Sequence, residues 1–112
     1  MNGTEDIRIG DLRQRIVIEQ PVRVADGGGG AVESWSEVGE VWARLRPLSG
    51  TERSEADAIA GSVSHEAVMR YRDDLGPELR LRFGTRVFDI RVVFDIDERR
   101  RFLRCLVEER DL

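Results

Sequence analysis

The chain has 112 residues, of which 36% are charged and 40% apolar, and its formal net charge is −4. That length fits one small domain with a modest core, and the acid excess argues against a dedicated nucleic-acid binder, which carries a basic stripe. One cysteine, Cys105, excludes an intrachain disulfide, and no segment approaches membrane-spanning length.

The opening MNGTEDIRIG is too polar for a signal peptide, so a soluble chain made in the cytoplasm, with no membrane partner, is expected. Residues 1–11 read as an N-terminal arm and 12–112 as the single domain. The first strand is expected over Leu12 to Gln20, with Ile16 and Ile18 on one face and Pro21 ending or weakening its pairing. Asp26 and the run Gly27, Gly28, Gly29 and Gly30 then make a mobile hairpin tip, because consecutive glycines cannot form a strand interior. A phosphate-binding loop would need a following Gly-Lys-Ser/Thr and a helix start, and neither is present.

The second strand covers about Val32 to Leu45, bent near Gly39. Val41, Ala43 and Leu45 share one face, and Trp42, Arg44 and Arg46 the other. Trp42 among arginines is either a second layer of the core or a subunit contact, since Trp and Arg are enriched at interface hot spots. All positive charge is arginine, which suits bidentate interface pairs and also follows from a GC-rich genome. Ser49-Gly50-Thr51-Glu52 has capping-box spacing and opens a helix to about Ala60, closed by Gly61. Its apolar stripe is weak, so the segment is expected to order against a partner. A third strand spans Val63 to Tyr71, with Ala67 and Met69 on one face and Glu66 and Val68 on the other.

The last third, Leu79 to Glu109, carries the clearest pattern. Apolar and charged residues alternate up to Phe83, break at Gly84-Thr85, and alternate again through Phe94. A two-residue loop opening with Gly suits a type II′ turn. Pairing Phe83 with Arg86 sets Leu81 against Phe88 and Leu79 against Ile90, and on the other face Arg80 against Asp89 and Glu78 against Arg91. A one-residue slip loses both patterns. After a turn at Asp95 to Glu98, the last strand runs from about Arg101 to Glu109, with Leu103, Cys105 and Val107 on one face and Phe102 and Leu106 on the other. The expected architecture is mostly β, a small six-stranded antiparallel barrel or sandwich with one short helix in the long loop between strands 2 and 3.

Nothing in this order assembles an active site. His65 stands in mid-strand without a second histidine or cysteine pair. Cys105 reads as a buried small hydrophobe. The acids Asp95, Asp97 and Glu98 lack the spacing and glycine of an EF-hand loop. No catalytic residue, metal or cofactor is expected.

Four segments, IRIGDLRQRIVIEQPV, VESWSEVGEVWARLRPLSGTER, HEAVMRYRDDL and LRLRFGTRVFDIRVVFDIDERRRFLRCLVEE, occur in an order that resembles the phage head–tail joining family. Its members are small head-closure or stopper proteins of tailed phages and gene transfer agents. The resemblance implies a structural subunit of the virion neck, assembled as a ring, by analogy a hexamer. That ring extends the DNA channel, retains packaged DNA and docks the tail. Its partners would be the portal-side adaptor, the tail terminator or tail tube protein, and passing double-stranded DNA without sequence reading. Ser49, Gly50, Thr51, Glu52, Arg53, Glu55 and Asp57 would then face the channel. The glycine tip with Asp26, and the side chains of Trp35, Trp42, Arg44, Arg46, Arg80, Asp89 and Arg91, are the candidates for subunit or neighbour contacts. Two other readings are an adaptor or tail-terminator ring of the same particle, and an unrelated β-barrel binding module.

Overall fold

A computed structural model describes residues 7–111. Six strands form: β1 (Gln14–Ala25), β2 (Ala31–Pro47), β3 (His65–Arg70), β4 (Arg80–Phe83), β5 (Arg86–Asp95) and β6 (Phe102–Glu109), with α1 (Gly50–Ala60) between β2 and β3. All pairings are antiparallel, and the order β1-β2-β3-β6-β5-β4 closes into a barrel. The closing seam is narrow: β1 meets β4 only through Val17↔Arg82, Ile18↔Leu81 and Glu19↔Arg80.

The β4–β5 hairpin has the register its alternation requires, Phe83↔Arg86, Leu81↔Phe88 and Arg80↔Asp89. Gly84 supplies the positive φ of 64° that opens the turn. The expected charge pairs, however, do not form as drawn. A register shift between Ile90 and Val92 makes Arg91 a bulge residue, and the bulge re-aims its side chain to Glu108 and the Ser62 carbonyl. Arg80 reaches Glu19 across the seam rather than Asp89.

The first strand does not stop at Pro21. It continues to Ala25, with Pro21 opposite Trp35. Pairing with β4 ends at Glu19, so beyond that point β1 has a free edge, where a missing donor breaks no second ladder. β1 and β2 therefore leave the barrel as a two-stranded ribbon, and the molecule measures 57 × 27 × 24 Å. The bend expected near Gly39 is a bulge: Ile18 opposes Gly39 and Glu19 opposes Glu37, leaving Val38 extra. The tip is built by Asp26, whose Oδ1 accepts from the backbone N–H groups of Gly28 and Gly30 at 2.8 and 3.2 Å. Gly27 and Gly29 take the positive φ angles this turn needs.

The barrel bore is filled. Ile16, Ile18, Met69, Leu81, Phe88 and Ile90 are fully buried there. Two apolar patches on the outside of β3 and β6 are covered by segments from elsewhere in the chain. The stretch before β1 covers one: Leu12, with Ile7, packs on Val68 and Phe102. Helix α1 covers the other, setting Ala56 against Val63 and Leu106. The segment expected to await a partner is thus a helix docked on the chain's own barrel. Of the proposed arm, residues 1–6 lie outside the described residues.

Candidate functional site

The outer face of β2, β3 and β6 is organised by an acid that the strand pattern marks only as an outward residue. Glu66 is 3% exposed. Register sets it directly opposite Arg46 on β2 and Leu106 on β6. Its Oε2 accepts from Arg104 Nε at 2.6 Å, and its Oε1 from Arg46 Nε at 3.0 Å and Arg44 Nη2 at 3.2 Å. A buried carboxylate needs such partners, because its isolated charge would be prohibitively expensive. Arg46 then turns its other two nitrogens to α1, donating to both oxygens of Glu52 at 3.0 and 2.8 Å. The capping box forms as the spacing predicts: Glu52 N–H donates to Ser49 Oγ at 3.2 Å, and Ser49 N–H to Glu52 Oε1 at 2.9 Å. Ser49, Gly50 and Glu52 are thus committed to holding the helix start on the barrel. Asp57 accepts from Val63 N–H at 3.1 Å and closes the other end. Thr51, Arg53 and Glu55 face solvent, as does Ile59 at 69% exposure.

The Arg46 hydrogen bonds, with the Ser49 N–H, hold the Glu52 carboxyl down to about 2. A folded-state value below the unfolded one contributes stability above the ordinary carboxylate range, lost as pH falls through the folded value. Between about pH 4.5 and pH 2 the helix tether should therefore weaken. The Glu52→Gln variant should show less helix at neutral pH and a flatter acid titration of the far-ultraviolet helix signal. An unchanged titration would mean that this contact does not hold α1.

A second network joins the ribbon base to the β4–β5 hairpin. Glu19 is buried and accepts from Arg80 Nε at 2.8 Å and Arg82 Nε at 3.1 Å. Burial acts to raise its pKa, but the two arginines prevail and the net shift is downward. The Arg80 guanidinium lies 4.0 Å from the centre of the Trp35 ring, and that of Arg110 5.4 Å. Arg110 also donates to Asp89 at 2.9 Å. Trp35, Arg80 and Asp89 therefore belong to one cluster, which Arg91 does not join.

Trp42 is 52% exposed, so it is not a second layer of the core. Arg15 lies 5.0 Å over its ring and binds Glu40. Beside it runs an open groove of about 690 Å3 with Ile9, Leu12, Val41 and Tyr71 among its walls. Of its charged residues, Glu40 is paired with Arg15 and Arg72 with Asp74, which leaves Arg13 and Arg70 as its unneutralised charges. Arg44 and Arg46 lie on the same outward face as Trp42, as expected, and are engaged there with Glu66. The tip residues Asp26 to Gly30 stand apart, at the far end of the ribbon.

His65 packs edge-on to Phe88 at 5.1 Å, and burial lowers its pKa. Burial pushes the Cys105 thiol up to about 12, far from a nucleophile's range. Glu66, Glu19 and Arg110 are the residues that sequence reasoning missed. The available signal for Glu66 was an acid standing between Ala67 and His65 in a strand of small and apolar residues.

Three comparisons bear on these features. A family model described as phage head completion protein matches residues 7–110. Among solved structures, a chain from the virion of a native gene transfer agent particle is 35% identical, with a TM-score of 0.62, over 88% of this chain and 96% of that one. The solution structure of protein SF1141 from Shigella flexneri 2a is 28% identical, with a TM-score of 0.73, over 92% of this chain and 96% of that one. No curated protein matches.

Proposed function

Because this chain belongs to the phage head completion protein family, a structural and not a catalytic one, we propose that it is a neck subunit that closes the filled head. The observation that carries this reading is the family match across residues 7–110, joined by the likeness to a chain of a gene transfer agent virion. In this reading the subunits, made in the cytoplasm, form a ring, six by family analogy, between the portal-side adaptor and the tail terminator or tail tube. The ring retains packaged DNA and lets it pass without reading sequence.

The filled barrel bore supports a passage that runs between subunits and not through any one of them. Helix α1 is the element best suited to line it. It is held to the barrel from beneath by Ala56, Arg46 and Asp57, while its outer face carries Thr51, Glu55 and Ile59. An acidic, weakly apolar lining does not grip phosphate, which allows ejection. Removing the loop is a poor test, since α1 covers Val63 and Leu106. Reversing the charge of its outer face is a better one. Particles carrying Thr51→Arg with Glu55→Arg should assemble normally and eject DNA about tenfold more slowly at low salt, with the defect relieved at high salt as phosphate contacts weaken. An ejection rate equal to that of unmodified particles would remove α1 from the channel.

A further inference from the structure

Two apolar surfaces of the chain have no cover among the described residues, and they complement each other. The first is one face of the β1–β2 ribbon. Along β1 the parity of Ile16 and Ile18 passes Gln20 and is taken up again by Val22 and Val24, so the ribbon valines lie on the side that faces the core lower down. Val24 stands directly opposite Val32, and the two are 51% and 56% exposed. The other ribbon face sets Arg23 opposite Glu33, between the Pro21–Trp35 and Ala25–Ala31 pairs. The second surface is the groove beside Trp42, where Ile9 is 58% exposed.

Charge selects which surface meets which. Arg13 and Arg70 of the groove make no ion pair with any carboxylate of the described residues; Arg13 only donates to the Gly10 carbonyl. At the ribbon tip, Asp26 uses Oδ1 for the glycine N–H groups and leaves Oδ2 without a hydrogen bond. We propose that the Val24–Val32 face of the ribbon of one copy seats in the Trp42 groove of the next copy, with Asp26 reaching Arg13 and Arg70. The contact is head-to-tail: each subunit offers one ribbon and receives one. Such heterologous contacts generate a ring when the rotation closes. Trp flanked by arginine is the expected anchor on the receiving side, and the glycine tip admits close approach of the backbone. This deepens the ring assembly proposed above and rests on it.

The test uses particles made with two differently tagged full-length versions together, Val24→Cys and Ile9→Cys. Cys105 is buried, with its thiol up at about 12, and stays silent. Mild oxidation should yield a disulfide-linked dimer carrying both tags, and particles with either variant alone should yield none. Particles that contain the chain but give only monomers, or Val24→Cys homodimers, would overturn the ribbon-in-groove contact and leave the ring reading intact. Absence of the unmodified chain from particles would overturn both. As a second arm, Val24→Arg with Val32→Glu, an opposite-charge pair across the ladder, should leave the melting temperature within about 2 °C, because both side chains are solvent-exposed. Incorporation into particles should fall at least about tenfold; undiminished incorporation rejects the contact.

Discussion

Glu66→Ala should lower the free energy of unfolding by about 3 kcal/mol, the lower end of what breaking a buried ion pair costs. The lower end applies because Arg44, Arg46 and Arg104 are themselves 29%, 36% and 26% exposed and recover part of their hydration. In a chain of this size the melting temperature should fall by roughly 12 °C. Denaturant titration and calorimetry read the two quantities. The loss comes from three guanidinium groups left crowded on one sheet face without their shared acceptor. Glu66→Gln separates charge from shape: it keeps one acceptor oxygen and should be intermediate. A Glu66→Ala protein within about 0.5 kcal/mol of the parent, the range of an ordinary surface change, would show that the cluster contributes nothing.

Ala56→Arg should detach α1 while the barrel survives. Ala56 is the one buried residue of the helix, and it occupies a small space against Val63 and Leu106. A long cation there must displace the helix or sit uncompensated, at about 2 kcal/mol. Once displaced, an 11-residue helix is shorter than the roughly 12–15 residues at which isolated helices become even marginal. The expected result is a loss of the far-ultraviolet helix contribution with the sheet signal kept. Particles carrying the variant should assemble and then lose packaged DNA on storage. A variant with full helix content and parental stability would contradict the docking described here; one that loses the helix yet retains DNA would take α1 out of the closure.

Local pattern was enough for much of this fold. The β4–β5 register follows from alternation about Gly84, the capping box from the Ser49–Glu52 spacing, and the two faces of β6 from a period of two. What local pattern could not supply was anything decided by a third strand. Arg80 looks across its own hairpin to Asp89, but the barrel closes and brings Glu19 within 2.8 Å, on the other side of the seam. Glu66 looks like a solvated outward acid until β2 and β6 lie on both sides of it with three arginines. Proline ends or weakens a strand flanked on both sides, but at Pro21 one edge of the ribbon is open and the strand continues. Alternation puts Trp42 outward without saying whether anything of its own chain covers it, and its 52% exposure removes the second core layer. The candidate surfaces were legible as residues, and their grouping required the closed sheet.

The Arg46 side chain has a mechanical meaning beyond its charge. One guanidinium joins Glu52 on the helix to Glu66 on the barrel wall. Its two bonds to Glu52 join one guanidinium to one carboxylate, which fixes the orientation of the two groups as well as their distance. The far end is fastened differently, by Val63 N–H donating to Asp57, Ser62 Oγ donating to Glu108, and Arg91 donating to the Ser62 carbonyl. The helix is thus tied at both ends and through different strands, to β2 and β3 at its start and to β5 and β6 at its end, so distorting either half of the barrel would move it.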